Sequence, residues 1–166
     1  MIRIIPVILI LTFLITREIT PQISVQTADE QQISKIISER GGKFLLLNFW
    51  ATWCAPCREE FPDLQKLHES YLEKGLEVIG LSVDYPDETE SKIKPFLKKA
   101  GSTFPVFVQD VNNDEKLINM IDPEWNGAVP LTVIYDANGN KLEIIEGKKS
   151  YSEFEKILSK HLPLAE

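Results

Sequence analysis

The chain alternates short apolar runs with amphipathic stretches, and the order of the two predicts its elements. Residues 44–50 (Phe-Leu-Leu-Leu-Asn-Phe-Trp) and 76–83 are nearly unbroken apolar runs. Both are too short for a typical helix and read as strands buried on both faces. Between them, from about 56 to 74, apolar residues return at helical spacing, with Phe61, Leu64, Leu67, Tyr71 and Leu72 on one side. Pro62 falls inside that stretch and is expected to bend or interrupt its first turns. Gly75 closes it. A further amphipathic helix is predicted over 88–100, with Ile93, Phe96 and Leu97 inward and lysines outward. A short strand at 106–108 and a short helix at 114–121 follow. The apolar runs 131–135 and 142–145 flank Asp136-Ala137-Asn138-Gly139-Asn140, a strong hairpin signal. A last helix is predicted over 152–162. Ahead of all these, Thr27-Ala28-Asp29-Glu30 reads as a capping box before a helix carrying Ile33, Ile36 and Ile37, ended by Gly41-Gly42. Strands alternating with helices, and a hairpin late in the chain, predict an α/β layer fold with a mixed sheet.

The apolar residues are densest at the N-terminus. Residues 4–15 are almost wholly apolar, with Arg3 ahead and Thr16-Arg17-Glu18 behind, the layout of a secretory signal. The stretch is about twelve residues, whereas a bilayer crossing takes roughly 20. The expected organisation is therefore a signal peptide or short membrane anchor over 1–16, a polar linker with Pro21 over 17–28, and one domain over 29–166. Export places the domain where a disulfide persists.

Composition narrows the function classes. With 43% apolar and 26% charged residues the chain is neither disordered nor a multi-span membrane protein. Its net charge of −7 lacks the basic field that nucleic-acid binding requires. Two cysteines are too few for a disulfide scaffold or a four-thiolate zinc site.

Both cysteines fall in Trp53-Cys54-Ala55-Pro56-Cys57, between a buried strand and a helix. At a helix N-terminus the free N–H groups and the positive dipole end favour a thiolate over a thiol, and the thiolate is the nucleophile. The two-residue spacing lets one sulfur reach the other across a helical turn. Cys54, nearer the helix end, is expected to attack, and Cys57, one turn inside, to resolve the mixed disulfide. Zinc uses the same spacing but needs further ligands. The histidines, His68 on an apolar helix face and His161 near a helix C-terminus, read as a packed side chain and a dipole partner. A purely structural bridge would constrain so short a loop that it stabilises little.

The segment Asn48-Phe49-Trp50-Ala51-Thr52-Trp53-Cys54-Ala55-Pro56-Cys57-Arg58-Glu59-Glu60-Phe61-Pro62 resembles the active-site segment of exported thioredoxin-like thiol–disulfide oxidoreductases, specifically the TlpA/ResA type, which includes cytochrome c maturation reductases. The resemblance runs from about 29 to the C-terminus and implies a thioredoxin-like fold, a central mixed β-sheet flanked by helices, with additional strand–helix material between 80 and 122. It implies that Ala128-Val129-Pro130-Leu131-Thr132 is the loop carrying a cis-proline beside the cysteines, with the Val129 backbone pairing with an extended substrate. It also implies that Glu60, three residues beyond Cys57 on the same helix face, is an acidic group beside the active site that moves a proton to or from a cysteine. Asn48 stands where ordinary thioredoxins have a buried acid, which makes Glu60 the substitute. Glu59 reads as a surface charge.

The substrate contacts so implied are Trp53, Ala55, Pro56, Val129 and Pro130. Trp50 reads as core, Trp53 as exposed beside Cys54, and Trp125 either as structural or as part of the same groove. The implied activity is reduction of protein disulfides, without metal or organic cofactor beyond the redox-active Cys54–Cys57 disulfide. Protein thiols would be its substrates, with a membrane or periplasmic electron donor to re-reduce the pair. Two other functions on the same fold fit less well. A thiol peroxidase carries Thr-x-x-Cys, but Ala51 stands three residues before Cys54. Copper-delivery proteins carry Cys-x-x-x-Cys, one residue longer than here. An interaction module with a structural disulfide is the third alternative.

Overall fold

The computed structural model describes residues 24–162. The signal or anchor expected over 1–16 and the first part of the linker lie outside the described residues. Among those described, no helix is long and apolar enough to cross a membrane.

The two predicted buried strands form the centre of the sheet. β2 (Phe44–Trp50) and β3 (Leu76–Ser82) pair in parallel, and β4 (Val106–Gln109) extends the parallel part beyond β3. On the other side of β2, β5 (Leu131–Tyr135) and β6 (Lys141–Glu146) add as an antiparallel hairpin. β1 (Val25–Ala28) completes a 6-stranded sheet of order β1-β4-β3-β2-β5-β6 by pairing in parallel with β4. The linker expected over 17–28 therefore gives way to a strand at its end. With Gln26 and Thr27 facing solvent and Ala28 buried, β1 has the composition of a polar edge and no apolar run.

Alternation along β2 sorts the core into two layers. Leu46 and Trp50 face α2 (Ala55–Tyr71), α3 (Lys94–Ala100) and α5 (Tyr151–Leu158), whose Phe61, Leu64, Leu97, Phe154 and Leu158 fill that side. Leu45, Leu47 and Phe49 face α1 (Glu30–Ser38) and α4 (Asp114–Ile121), with Ile33, Ile36, Leu117 and Ile121. The strand–helix material expected between 80 and 122 is α3, β4 and α4. Gly80 on β3 leaves room for the Trp50 indole: a Cβ there would lie 3.1 Å from Nε1.

Several local expectations are corrected. Asp29, not Thr27, caps α1, accepting the Gln32 N–H at 2.8 Å. α2 passes through Pro62 without interruption. Both Pro62 and Arg58, whose carbonyl loses its donor there, lie on the solvent face, where water can serve that oxygen. The helix expected over 88–100 starts instead as a 3₁₀ turn (Pro86–Glu88) and a π turn (Thr89–Ile93), and becomes α-helical only at Lys94. Pro95 has no N–H to give to a regular α-helical start. α5 begins at Tyr151, behind a Ser150/Glu153 capping box, and ends at Leu158. The hairpin turn needs Gly139 twice over: its φ is +83°, and a Cβ would meet the Ile37 carbonyl at 2.7 Å.

Candidate active site

β2 ends at Trp50 in the middle of the sheet, and the chain turns through 51–53 into α2. Cys54 is the residue that caps this helix, in extended conformation (φ −83°, ψ 107°). Its Sγ accepts the N–H of Cys57 at 3.2 Å, so a free N–H of the first turn is aimed at sulfur. Cys54 and Cys57 are joined in a disulfide, with their Cα atoms 5.3 Å apart. Both are largely covered, Cys54 less so than Cys57. Trp53 projects into solvent, Ala55 and Pro56 are exposed, and Trp50 is buried against Phe61.

The approach of the 128–130 loop completes the site. The Val129–Pro130 bond is cis, and the Val129 carbonyl oxygen lies 3.5 Å from Cys54 Sγ. The preceding turn is held on both sides of Ala128. The Asn126 side chain accepts the Ala128 N–H at 2.9 Å, and the Trp125 indole N–H donates to the Ala128 carbonyl at 2.9 Å. Trp125 is buried and packs at a tilt on Phe49 with ring centroids 5.1 Å apart. Of its two readings, the structural one holds: it positions the loop that carries Val129.

Glu60 and Glu59, neighbours in sequence, have opposite fates. Glu59 is exposed and pairs with Lys148 at 2.7 Å. Glu60 is completely buried. Its Oε1 accepts the Lys149 N–H at 2.9 Å, and its Oε2 accepts from Asn48 Nδ2 at 3.3 Å. Asn48 also donates to the Thr132 hydroxyl at 2.9 Å, across the β2–β5 register that sets the two residues opposite each other. Burial pushes the Glu60 carboxyl up to about 7, and the hydrogen bonds from Lys149 and Asn48 only partly oppose it. A carboxyl near that value gives and takes a proton at neutral pH. The residue at the expected acid position, Asn48, thus meets an acid delivered from the helix.

Asp84 was not anticipated. It is buried at the end of β3, and its carboxylate accepts the Thr52 N–H at 2.8 Å, the Thr52 hydroxyl at 2.7 Å and the Ser82 hydroxyl at 2.6 Å. This clamp fastens the turn that carries Trp53 and Cys54. The signal available was a Ser-x-Asp closing an apolar strand, since polar side chains at a buried strand end require partners. Elsewhere, His68 is half-buried near Phe104, with burial lowering its pKa, and His161 pairs with Glu143 at 2.8 Å. Among the described residues, no three His, Cys, Asp or Glu side chains gather as metal ligands do.

A cysteine pair capping a central helix, faced by a cis-proline loop and set on a sheet of this order, is the arrangement of the thioredoxin-like proteins. Residues 16–142 match the AhpC/TSA family, and the chain belongs to that family. It is 36% identical over 122 residues to the thiol-disulfide oxidoreductase ResA of Bacillus cereus, a match covering 74% of this chain and 65% of that one. To the ResA of Oceanobacillus iheyensis it is 35% identical over 139 residues, 83% of this chain and 68% of the relative. The chain thus spans about two thirds of the length of these relatives. A crystal structure described as a thiol:disulfide interchange protein of the thioredoxin family, from Chlorobium tepidum, superposes with a TM-score of 0.62 at 28% identity, covering 75% of this chain and 83% of that one.

Proposed function

We propose that the chain is an exported thiol–disulfide oxidoreductase that reduces protein disulfides through Cys54 and Cys57. The observation that carries this reading is the Cys54–Cys57 disulfide at the head of α2, with Cys54 Sγ at the mouth of the Val129–Pro130 loop. In the reduced protein the Cys54 thiolate attacks one sulfur of a substrate disulfide. The new bond joins Cys54 to the substrate, and the electron pair leaves on the second substrate sulfur, which takes a proton. Cys57, once deprotonated, attacks Cys54 Sγ and expels the remaining substrate thiolate, which takes the second proton. Two electrons and two protons pass to the substrate, and the Cys54–Cys57 disulfide reforms. Glu60, buried one helical turn beyond Cys57, takes the proton from Cys57. Trp53, Ala55 and Pro56 flank the sulfur that attacks. The Val129 main chain pairs with an extended stretch of substrate, and Pro130 holds it in place.

The sulfur pair carries the electrons alone, with no metal or organic cofactor in the reaction. A dithiol donor of the membrane or periplasm must return two electrons to the pair. The apolar segment 4–15 supports export, with a tether to the membrane if the segment is kept. The likeness to relatives named thiol-disulfide oxidoreductase supports the redox class, and the resemblance of residues 48–62 to the active-site segment of the TlpA/ResA type supports the reductive direction, with oxidised apocytochrome c as a substrate of suitable chemistry. Equilibrating the pair against a dithiol–disulfide buffer and counting free thiols gives its potential. Reduction requires a value below the poise of the compartment, toward the about −270 mV of thioredoxin, and a value above that poise, toward about −120 mV, would make the protein an oxidant.

A further inference from the structure

Among the described residues, the two large apolar side chains that stand more than half exposed are Trp53, at 66%, and Tyr85, at 72%. They stand on two chain segments that are fastened to each other. Thr52 and Asp84 are bound to each other by two hydrogen bonds, and each aromatic is the next residue along the chain from one of them, about 3.8 Å of backbone away. Trp53 was expected beside Cys54, but Tyr85 comes from a different strand and has no core to serve. We propose that Tyr85 is a specificity-determining contact, which together with Trp53 grips an apolar side chain flanking the disulfide of the protein substrate. This inference rests on the oxidoreductase reading of the same site.

The main chain under Tyr85 is prepared for such a contact. The buried Asp84 clamp fixes it on one side. On the other, the Tyr85 carbonyl accepts the Glu88 N–H at 3.0 Å, and Pro86 opens the 3₁₀ turn. An aromatic on a pinned backbone offers a large contact area at small entropic cost. The chemistry of the partner follows from the rest of the mouth. Cys54 is flanked along the chain by Trp53, Ala55 and Pro56 and faced by the Val129 carbonyl, and the Thr52–Asp84 hydrogen bonds tie the Tyr85 segment to the same turn; none of these five residues is charged. Arg58, the nearest cation along the chain, turns its guanidinium to the Thr52 carbonyl at 3.2 Å. Two exposed aromatic rings held on a fixed turn select an apolar neighbour of the substrate cysteine over a small polar one.

The test compares full-length wild type, Tyr85→Ala and Tyr85→Phe on disulfide-bonded peptides that differ only in the residues flanking the cysteines: Leu, Ser or Lys. Hydroxyethyl disulfide serves as a small substrate that cannot reach the rings. Wild type is expected to show the lowest KM for the Leu peptide. Tyr85→Ala raises that KM about tenfold, leaves kcat and the hydroxyethyl disulfide rate unchanged, and erases the difference between Leu and Ser. Tyr85→Phe keeps the wild-type KM. An unchanged KM in Tyr85→Ala, or a wild-type preference for the Ser or Lys peptide, overturns the inference while leaving the oxidoreductase reading intact. A wild type that reduces neither peptides nor hydroxyethyl disulfide overturns both.

Discussion

Replacing Glu60 by Gln removes the only difference between two nearly isosteric side chains that responds to pH, and the structure says how large the response is. The Glu60 carboxyl is buried and pushed from the ordinary 4.5 to about 7. The folded state therefore holds this proton more tightly than the unfolded chain does, and folding is favoured at low pH. That advantage is fully present below the unfolded value, near 4.5, and is lost as pH rises to about 7. With one pKa unit worth about 1.36 kcal/mol, the cost of charging the buried group amounts to about 3 kcal/mol above neutrality. The glutamine side chain of the Glu60→Gln variant never ionises. Its amide NH₂ cannot accept from both Lys149 and Asn48, so the variant carries a handicap, but that handicap does not change with pH. Urea unfolding of both oxidised proteins from pH 4 to pH 8 isolates the group, because all other titrations cancel in the difference. The stability of Glu60→Gln relative to wild type should rise by about 3 kcal/mol across that window. A difference that stays flat with pH would refute the claim that Glu60 ionises at a cost near neutrality, and with it the proton role given to the residue.

Two other substitutions probe the frame around the site. Gly80→Ala places a methyl group 3.1 Å from Trp50 Nε1 and 3.3 Å from Phe104 and Val106, and should cost about 1–3 kcal/mol in urea unfolding as an overpacked core. A wild-type midpoint would show that the indole shifts without penalty. Asp84→Ala strips the acceptor from the Thr52 N–H and from the Thr52 and Ser82 hydroxyls, and should cost about 2 kcal/mol. It should also slow the reaction of Cys54 even with a small disulfide, since the turn carrying the sulfur is loosened. Full activity in a destabilised Asp84→Ala protein would reduce the clamp to a purely structural role.

What the sequence showed and what it hid have physical reasons. β2, β3 and α2 were legible because each is a local pattern: an apolar run of strand length, or apolar residues at helical spacing. The cysteine pair between them was legible for the same reason. β1 was not, because a four-residue edge strand with two solvent-facing polar residues is defined by its partner β4, far along the chain, and not by its own composition. The 3₁₀ and π turns before α3 are set by Pro86 and Pro95 acting on hydrogen-bond registers, which periodicity blurs into one helix. At the site, Glu60 was found through the resemblance of the active-site segment, which sets an acid three residues beyond Cys57, but its surroundings were not. The contact with Lys149 is made by main chain, which no side-chain pattern announces. Asn48 and Thr132 each interrupt an apolar run, and that shared oddity was the available sign that they face one another on adjacent strands. Asp84 and Tyr85 went unread because their importance lies in a turn that meets them only in three dimensions.

Cys54 attacks and Cys57 resolves. Reduced Cys57→Ser protein, mixed with a disulfide-bonded protein substrate and quenched by alkylation, tests this order by intact mass and peptide mapping. A persistent mixed disulfide between Cys54 and a substrate cysteine is expected, absent from wild type, where Cys57 releases it, and absent when Cys54 is replaced as well. No adduct in Cys57→Ser, or an adduct that forms through Cys57 in the reciprocal Cys54→Ser protein at equal rate, would contradict it.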